Sequence, residues 1–225
     1  MVFAGISSGG LEGSAYRRSL RDEHDIALYS LVMSVLREHP GGMGFAGLRM
    51  TNEEYLAIGE TAHRYELVNG VVFMSPSPSS AHQRIIRRLL AQLDGACERI
   101  PGLEALSEYD VSLAPGLVYQ PDVAVFAPGR FKEDAGHSIV PDLAIEVISP
   151  SSKAYDLITK RQDYERFGVR EYWVIDPSDG SVRAWRGNSV RFAEVEVEGD
   201  ALASTAIPGF VLDLRPIRQM TGRED

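Results

Sequence analysis

Residues 141 to 153 read PDLAIEVISPSSK, and the run inside them limits the architecture more than any other segment. Leu143, Ala144, Ile145, Val147 and Ile148 are apolar at alternate and adjacent positions alike. A strand of that kind sits in the middle of a sheet whose two faces are both covered. Glu146 interrupts the run. An ionised carboxylate there is costly unless it is paired or holds a metal. The segment therefore calls for covering layers and for a partner to one acid.

The remaining pattern supplies the layers. Thr51 and Glu54 in TNEEYLAIGE make a capping box for a short helix. YELVNGVVFMSP then places two apolar segments around Asn69-Gly70, a hairpin signal. SSAHQRIIRRLLAQLDGACERI reads as a long helix, with Ser80 and Gln83 as a second capping box. Candidate strands follow at 104–113, 121–126 and 139–149. KAYDLITKRQDYERFG is a helix ending at Gly168, and EYWVID follows it directly as a strand. VRAWR, VRFAEVEV and FVLDL read as short strands with turns. The class is mixed α/β, a central mixed sheet flanked by α-helices.

The chain of 225 residues fits one domain, or one domain plus an appendage. Residues 1 to 14 are Gly- and Ser-rich and are expected to be disordered. From about Tyr16 to Glu38 the pattern is helical with an apolar side, and HPGGMGFAG then breaks the chain. The division is an N-terminal extension over 1–45, carrying one amphipathic helix, and a domain over 46–225. That helix is either an appendage or a dimerisation element. The net charge of -9 argues against a general nucleic-acid coat protein, although a local basic patch or a metal can still make the contact. The single cysteine, Cys97, rules out an internal disulfide, fits a reducing cytoplasm and reads as a buried bystander. No apolar run is long enough for a bilayer, and the N-terminus lacks the order of a signal peptide.

QPDVAVF places Asp122 at the mouth of another apolar strand. If the two strands are neighbours, Asp122 and Glu146 converge on one hard cation. Asp142 competes, but four residues along one strand span roughly 13 Å at ~3.3 Å each, too far to share an ion with Glu146. It is read as the residue that starts its strand. An isolated Asp most often caps a loop or pairs with Arg; for a Glu inside an apolar run the functional reading stands ahead. Glu66 in YELVNG is either a third acidic ligand or a solvent-facing strand residue. His82 shares a helical face with Ile86, Leu89 and Leu93, as a satisfied core histidine would. At a helix N-terminus it is also placed to meet a phosphate. Asp156 and Lys160 stand at i and i+4 on the helix after Glu146. The bland reading is a surface ion pair; the other is a lysine that reaches back to the acids, with Lys153 as the nearer but less firmly held alternative.

Taken in order, YELVNG, SPSPSSAHQ, QPDVAVF, PDLAIEVISPSS and DLITKRQDYERFGVREYWVIDP resemble the Uma-two family. These are restriction-endonuclease-like proteins of the PD-(D/E)xK nuclease superfamily. The resemblance covers roughly residues 50 to 215. It implies a restriction-endonuclease-like core and a metal-dependent endonuclease that hydrolyses phosphodiester bonds in DNA. Asp122 matches the motif aspartate and Glu146 the motif glutamate, both expected to hold Mg²⁺, with Mn²⁺ as the substitute ion and Val147 included in the metal site. The superfamily's lysine belongs two residues after the glutamate, where this chain has Ile148. The family pattern takes its lysine from the next helix, matching Lys160, and its upstream acid and histidine match Glu66 and His82. A homodimer is expected, since related nucleases often pair to address both strands. The second reading is a catalytically silent member that binds nucleic acid or a protein partner, and the third is hydrolysis of small nucleotides.

Overall fold

The computed structural model describes residues 44–59, 61–187, 191–197 and 199–220. The amphipathic segment from about Tyr16 to Glu38, and the dimerisation face expected on it, lie outside the described residues. After α1 (Asn52–Leu56) come β1 (Tyr65–Val68), β2 (Val71–Met74) and α2 (Ser80–Arg99). Strands β3 (Glu104–Ser107), β4 (Val111–Ala114), β5 (Leu117–Tyr119), β6 (Val123–Phe126) and β7 (Leu143–Val147) follow. A π-helical segment, Tyr155–Lys160, runs straight into α3 (Arg161–Arg166). Then come β8 (Glu171–Ile175), β9 (Val182–Gly187), β10 (Phe192–Val195), β11 (Ala201–Ala203), β12 (Val211–Asp213) and α4 (Arg215–Arg218). No helix among the described residues is long and apolar enough to cross a membrane.

The strands form a six-stranded sheet in the order β10-β9-β8-β7-β6-β3, a four-stranded sheet β2-β1-β5-β4, and the pair β11-β12. Within the large sheet only β7 and β8 run parallel, joined by the π/α helix, so the sheet is mixed. Strand β7 is inside it, as its apolar run requires. Its side chains divide by parity: Leu143, Ile145 and Val147 pack with Ile85, Leu89 and Leu93 of α2. Ala144 and Ile148 face Tyr119, Tyr164 and Tyr172 on the other side. Burying each of Ile85, Leu89 and Leu93 contributes about 1.5–3 kcal/mol, and these three fix α2 on the sheet.

Several boundaries differ from the pattern reading. The stretch 104–113 is two strands in different sheets, because Glu108 adopts φ 52° and turns the chain between β3 and β4. Strand β6 begins at Val123 rather than 121: Pro121 lacks an N–H to donate, and Asp122 uses its backbone N–H elsewhere. The 139–149 segment contracts to Leu143–Val147. The cap of α2 is Ser79, one residue before Ser80; its Oγ accepts from the His82 N–H at 3.2 Å, and the box with Gln83 is not formed. Two adjacent serines offer the same hydroxyl, so sequence could not choose between them. Thr51 and Glu54 do close their box. In the small sheet the hairpin turns at Gly70 and Gly116 touch, the Gly70 N–H donating to the Gly116 carbonyl at 2.9 Å. A Cβ on Gly116 would stand 2.9 Å from the Gly70 nitrogen, so this approach needs glycine.

Candidate active site

Register brings the acids together. Val123 pairs with Ile145 and Ala124 with Ala144. Extending that antiparallel ladder by one residue sets Asp122 opposite Glu146. The contacts agree: the Asp122 N–H donates to Glu146 Oε2 at 3.4 Å, and the Val147 N–H donates to Asp122 Oδ2 at 2.7 Å. Both residues are 4% exposed.

Each carboxylate has its own set of partners. Asp122 Oδ1 meets the Arg64 guanidinium at 2.7 Å, and Oδ2 meets His82 Nε2 at 3.0 Å. Burial alone would raise this carboxyl, but the His82 hydrogen bond and the Arg64 charge hold it at about 2. An ionised carboxylate only accepts, so His82 Nε2 is the donor in this bond. His82 Nδ1 is buried without a partner among the described residues. Glu146 Oε1 accepts from Lys160 Nζ at 2.9 Å and from the Tyr164 hydroxyl at 3.3 Å.

Lys160 is the centre of the second half of the site. Its Nζ lies 2.7 Å from Glu66 Oε1, 2.9 Å from Glu146 Oε1 and 3.6 Å from Asp156 Oδ1. The rings of Tyr119 and Tyr155 stand 5.4 and 5.7 Å from it. Glu66 also accepts the Gln120 N–H at 3.2 Å. Burial would lower the Lys160 ammonium, yet Glu146, Glu66 and Asp156 raise it well above its ordinary value. Glu146 itself is pushed up to about 8 by burial, and Asp122, Asp156 and Glu66 add to the rise against Lys160. Burial is the main cause at Glu146, and the neighbouring acids are the cause at Lys160.

Glu66, His82, Asp122, Glu146 and Lys160 thus converge, and Val147 joins them through its backbone N–H. Asp156, weighed in sequence as half of a surface pair, is 4% exposed and inside the cluster. Lys153 is elsewhere, paired with Asp176 at 2.8 Å. Asp142 is also elsewhere: its Oδ2 accepts the Ala127 N–H at 2.8 Å, at the far end of β7. Sequence reasoning missed Arg64 and Tyr164. Arg64 directly precedes the hairpin, where an arginine looks like any exposed loop cation; Tyr164 is one turn after Lys160, and that spacing was the available signal.

A cavity of about 480 Å³ opens on the cluster. Its floor includes Asp122, Glu146, Asp156 and Lys160, and Phe73, Met74 and Pro150 are among the residues lining it nearer solvent. Among the described residues, no three His, Cys, Asp or Glu side chains are gathered as metal ligands.

The sequence model of the Uma2 family, described as "Putative restriction endonuclease", matches residues 52–215. No curated protein matches the chain. Among solved structures, the chain is similar to a "putative nuclease belonging to DUF820" from Anabaena variabilis, with a TM-score of 0.62 and 19% identity. That alignment covers 76% of this chain and 98% of the other, and the likeness is one of fold.

Proposed function

Since the chain belongs to the Uma2 family of restriction-endonuclease-like proteins, we propose that it is a divalent-metal-dependent endonuclease cutting phosphodiester bonds in DNA. The observation that carries this reading is the placement of Asp122 opposite Glu146 with Lys160 beside them, at the floor of one cavity. The site's chemistry fits a hard cation. Among the described residues, four carboxyl groups (Glu66, Asp122, Glu146 and Asp156) are gathered around Arg64, His82 and Lys160, and Glu146 is raised by burial, with Asp122, Asp156 and Glu66 adding to the rise. Two carboxylates are enough, because Mg²⁺ is usually held by one or two, with waters and substrate phosphate completing its shell. Asp122 and Glu146 are the residues that would hold Mg²⁺ or Mn²⁺, with Val147 fixing Asp122 through its N–H. Such an ion supplies charge neutralisation and Lewis-acid polarisation of a phosphoryl group.

The chain's own residues do the rest. His82 and Arg64 fix both oxygens of Asp122, so the carboxylate enters the reaction already oriented. Lys160 is held protonated by its three acids, which suits it to stabilise phosphoryl charge rather than to accept a proton. It also explains how Ile148 is tolerated: Ile148 and Glu146 share a face of β7's chain, and Lys160 delivers an ammonium to that face from the neighbouring helix. The reading takes the protein to act in the cytoplasm.

Purified protein with Mg²⁺ or Mn²⁺ is expected to nick or cut DNA, and EDTA to stop it. Glu146→Gln and Asp122→Asn should abolish cleavage while circular dichroism stays unchanged. Absence of cleavage of any DNA or RNA, together with no divalent-ion binding by calorimetry that Glu146→Gln removes, would sink the nuclease reading.

A further inference from the structure

The lip of the cavity carries an aromatic ring that the cluster chemistry does not use. Phe73 is 54% exposed on β2, beside Met74, which is also exposed, while Val72 between them and the turn is buried. In the hairpin register Phe73 is directly opposite Glu66, so the two side chains leave the sheet on the same face. Glu66 points down to Lys160 and Phe73 stands above it, lining the same cavity. Strand β2 is the last strand of its sheet, and the segment 47–49 that hydrogen-bonds along its outer edge does so at Val71 and Val72, short of Phe73.

Two further facts decide what the ring could meet. The acids and the lysine are buried at the floor, Lys160 to 5% exposure. A reacting phosphate must therefore descend into a cavity of about 480 Å³, room for about a nucleotide and not for a double helix. The protein is also acidic overall, -9 at neutral pH, so phosphate attraction to a general basic surface is not its means of holding a polyanion. Base stacking is independent of that charge, and every base offers a face to an aromatic side chain. In an intact duplex those faces are covered by neighbouring bases, and enzymes that need one must act on single strands or extrude it.

We propose that Phe73 stacks on an unpaired base beside the scissile phosphate, and that the site takes single-stranded or locally unpaired nucleic acid in preference to intact duplex. This rests on the nuclease reading for the word scissile, but the binding it describes can be measured without turnover.

The test uses the full chain in EDTA and a short fluorescein-labelled single-stranded oligodeoxynucleotide, against the duplex of the same sequence, read by anisotropy. Wild type should bind the single strand more tightly. Phe73→Ala should lose roughly ten-fold on the single strand and little on the duplex, with unchanged circular dichroism because the ring is exposed. Phe73→Trp should restore binding, and its added fluorescence should be quenched by the oligonucleotide. Equal affinity of wild type and Phe73→Ala for the single strand overturns the proposal. So does an indole at position 73 that acrylamide cannot reach in the free protein, which would assign the ring to the chain segment before residue 44. Loss of single-strand binding in Phe73→Ala, in a protein that cleaves nothing with Mg²⁺, keeps this inference while the nuclease reading falls. Cleavage of duplex and single strand that Phe73→Ala leaves untouched does the reverse.

Discussion

Glu146 is buried beside Lys160, and that burial, with the charges of Asp122, Asp156 and Glu66 added, raises its carboxyl to about 8. The sign of the consequence follows from linkage. In the unfolded chain a glutamate ionises near its ordinary value, so between there and about pH 8 the unfolded state has lost a proton that the folded state keeps. Stability contributed at Glu146 is therefore present at low pH and is lost as pH rises through that window. Glu146→Gln, which mimics the protonated acid, should match wild type near pH 4 and melt higher above pH 8, by about 1–3 kcal/mol. Thermal melts of the metal-free proteins across that range check it, and a pH-independent difference would show that Glu146 is ionised throughout. The anomaly of this one acid was legible in sequence because a charged residue inside an apolar run breaks a pattern. Arg64 was not, since its guanidinium reaches Asp122 from a loop position that breaks none.

The helix after Glu146 shows where periodicity stops being informative. KAYDLITKRQDYERFG fits a helix, and its end was readable: Gly168 adopts φ 86°, and the Val169 N–H closes back on the Tyr164 carbonyl. What the 3.6-residue pattern does not reveal is that Tyr155–Lys160 is π-helical. A π segment is an α-helix with one residue extra, common at functional sites. Across it and the turn that follows, Asp156, Lys160 and Tyr164 all turn inward while Ile158 is 56% exposed. Deleting Ile158 should relax the segment to an α-helix in which Asp156 and Lys160 stand at i and i+3, roughly 60° apart around the axis, and shift Asp156 out of its present place by Lys160. The expected outcome is a folded protein by circular dichroism with cleavage reduced by more than ten-fold. Retained activity would show that Asp156 is dispensable to the site. The strand boundaries failed for a similar reason: Glu108 and Pro121 redirect the chain between sheets, and the apolar pattern runs on across both.

At the level of the molecule, the site is built across a seam. Asp122 and Glu146 belong with the six-stranded sheet, Glu66 with the four-stranded one, and Lys160 joins them. The separations along the chain are unequal: Lys160 and Glu146 are 14 residues apart, His82 and Asp122 are 40, and the Gln120–Glu66 bond spans 54. Short loops close early and long ones late, because closure entropy grows with loop length. The Glu146–Lys160 contact can thus form while the large sheet nucleates, whereas Glu66 arrives only when the small sheet docks. In a chevron experiment Glu66→Gln should leave the folding limb nearly unchanged and raise the unfolding rate by about ten-fold. A slowed folding limb would mean that the small sheet is already in place at the barrier. On that expectation the seam makes the completion of the ionic cluster by Glu66 a late event, so the barrier to unfolding is where this residue of the cleft leaves its mark on how long the native state survives.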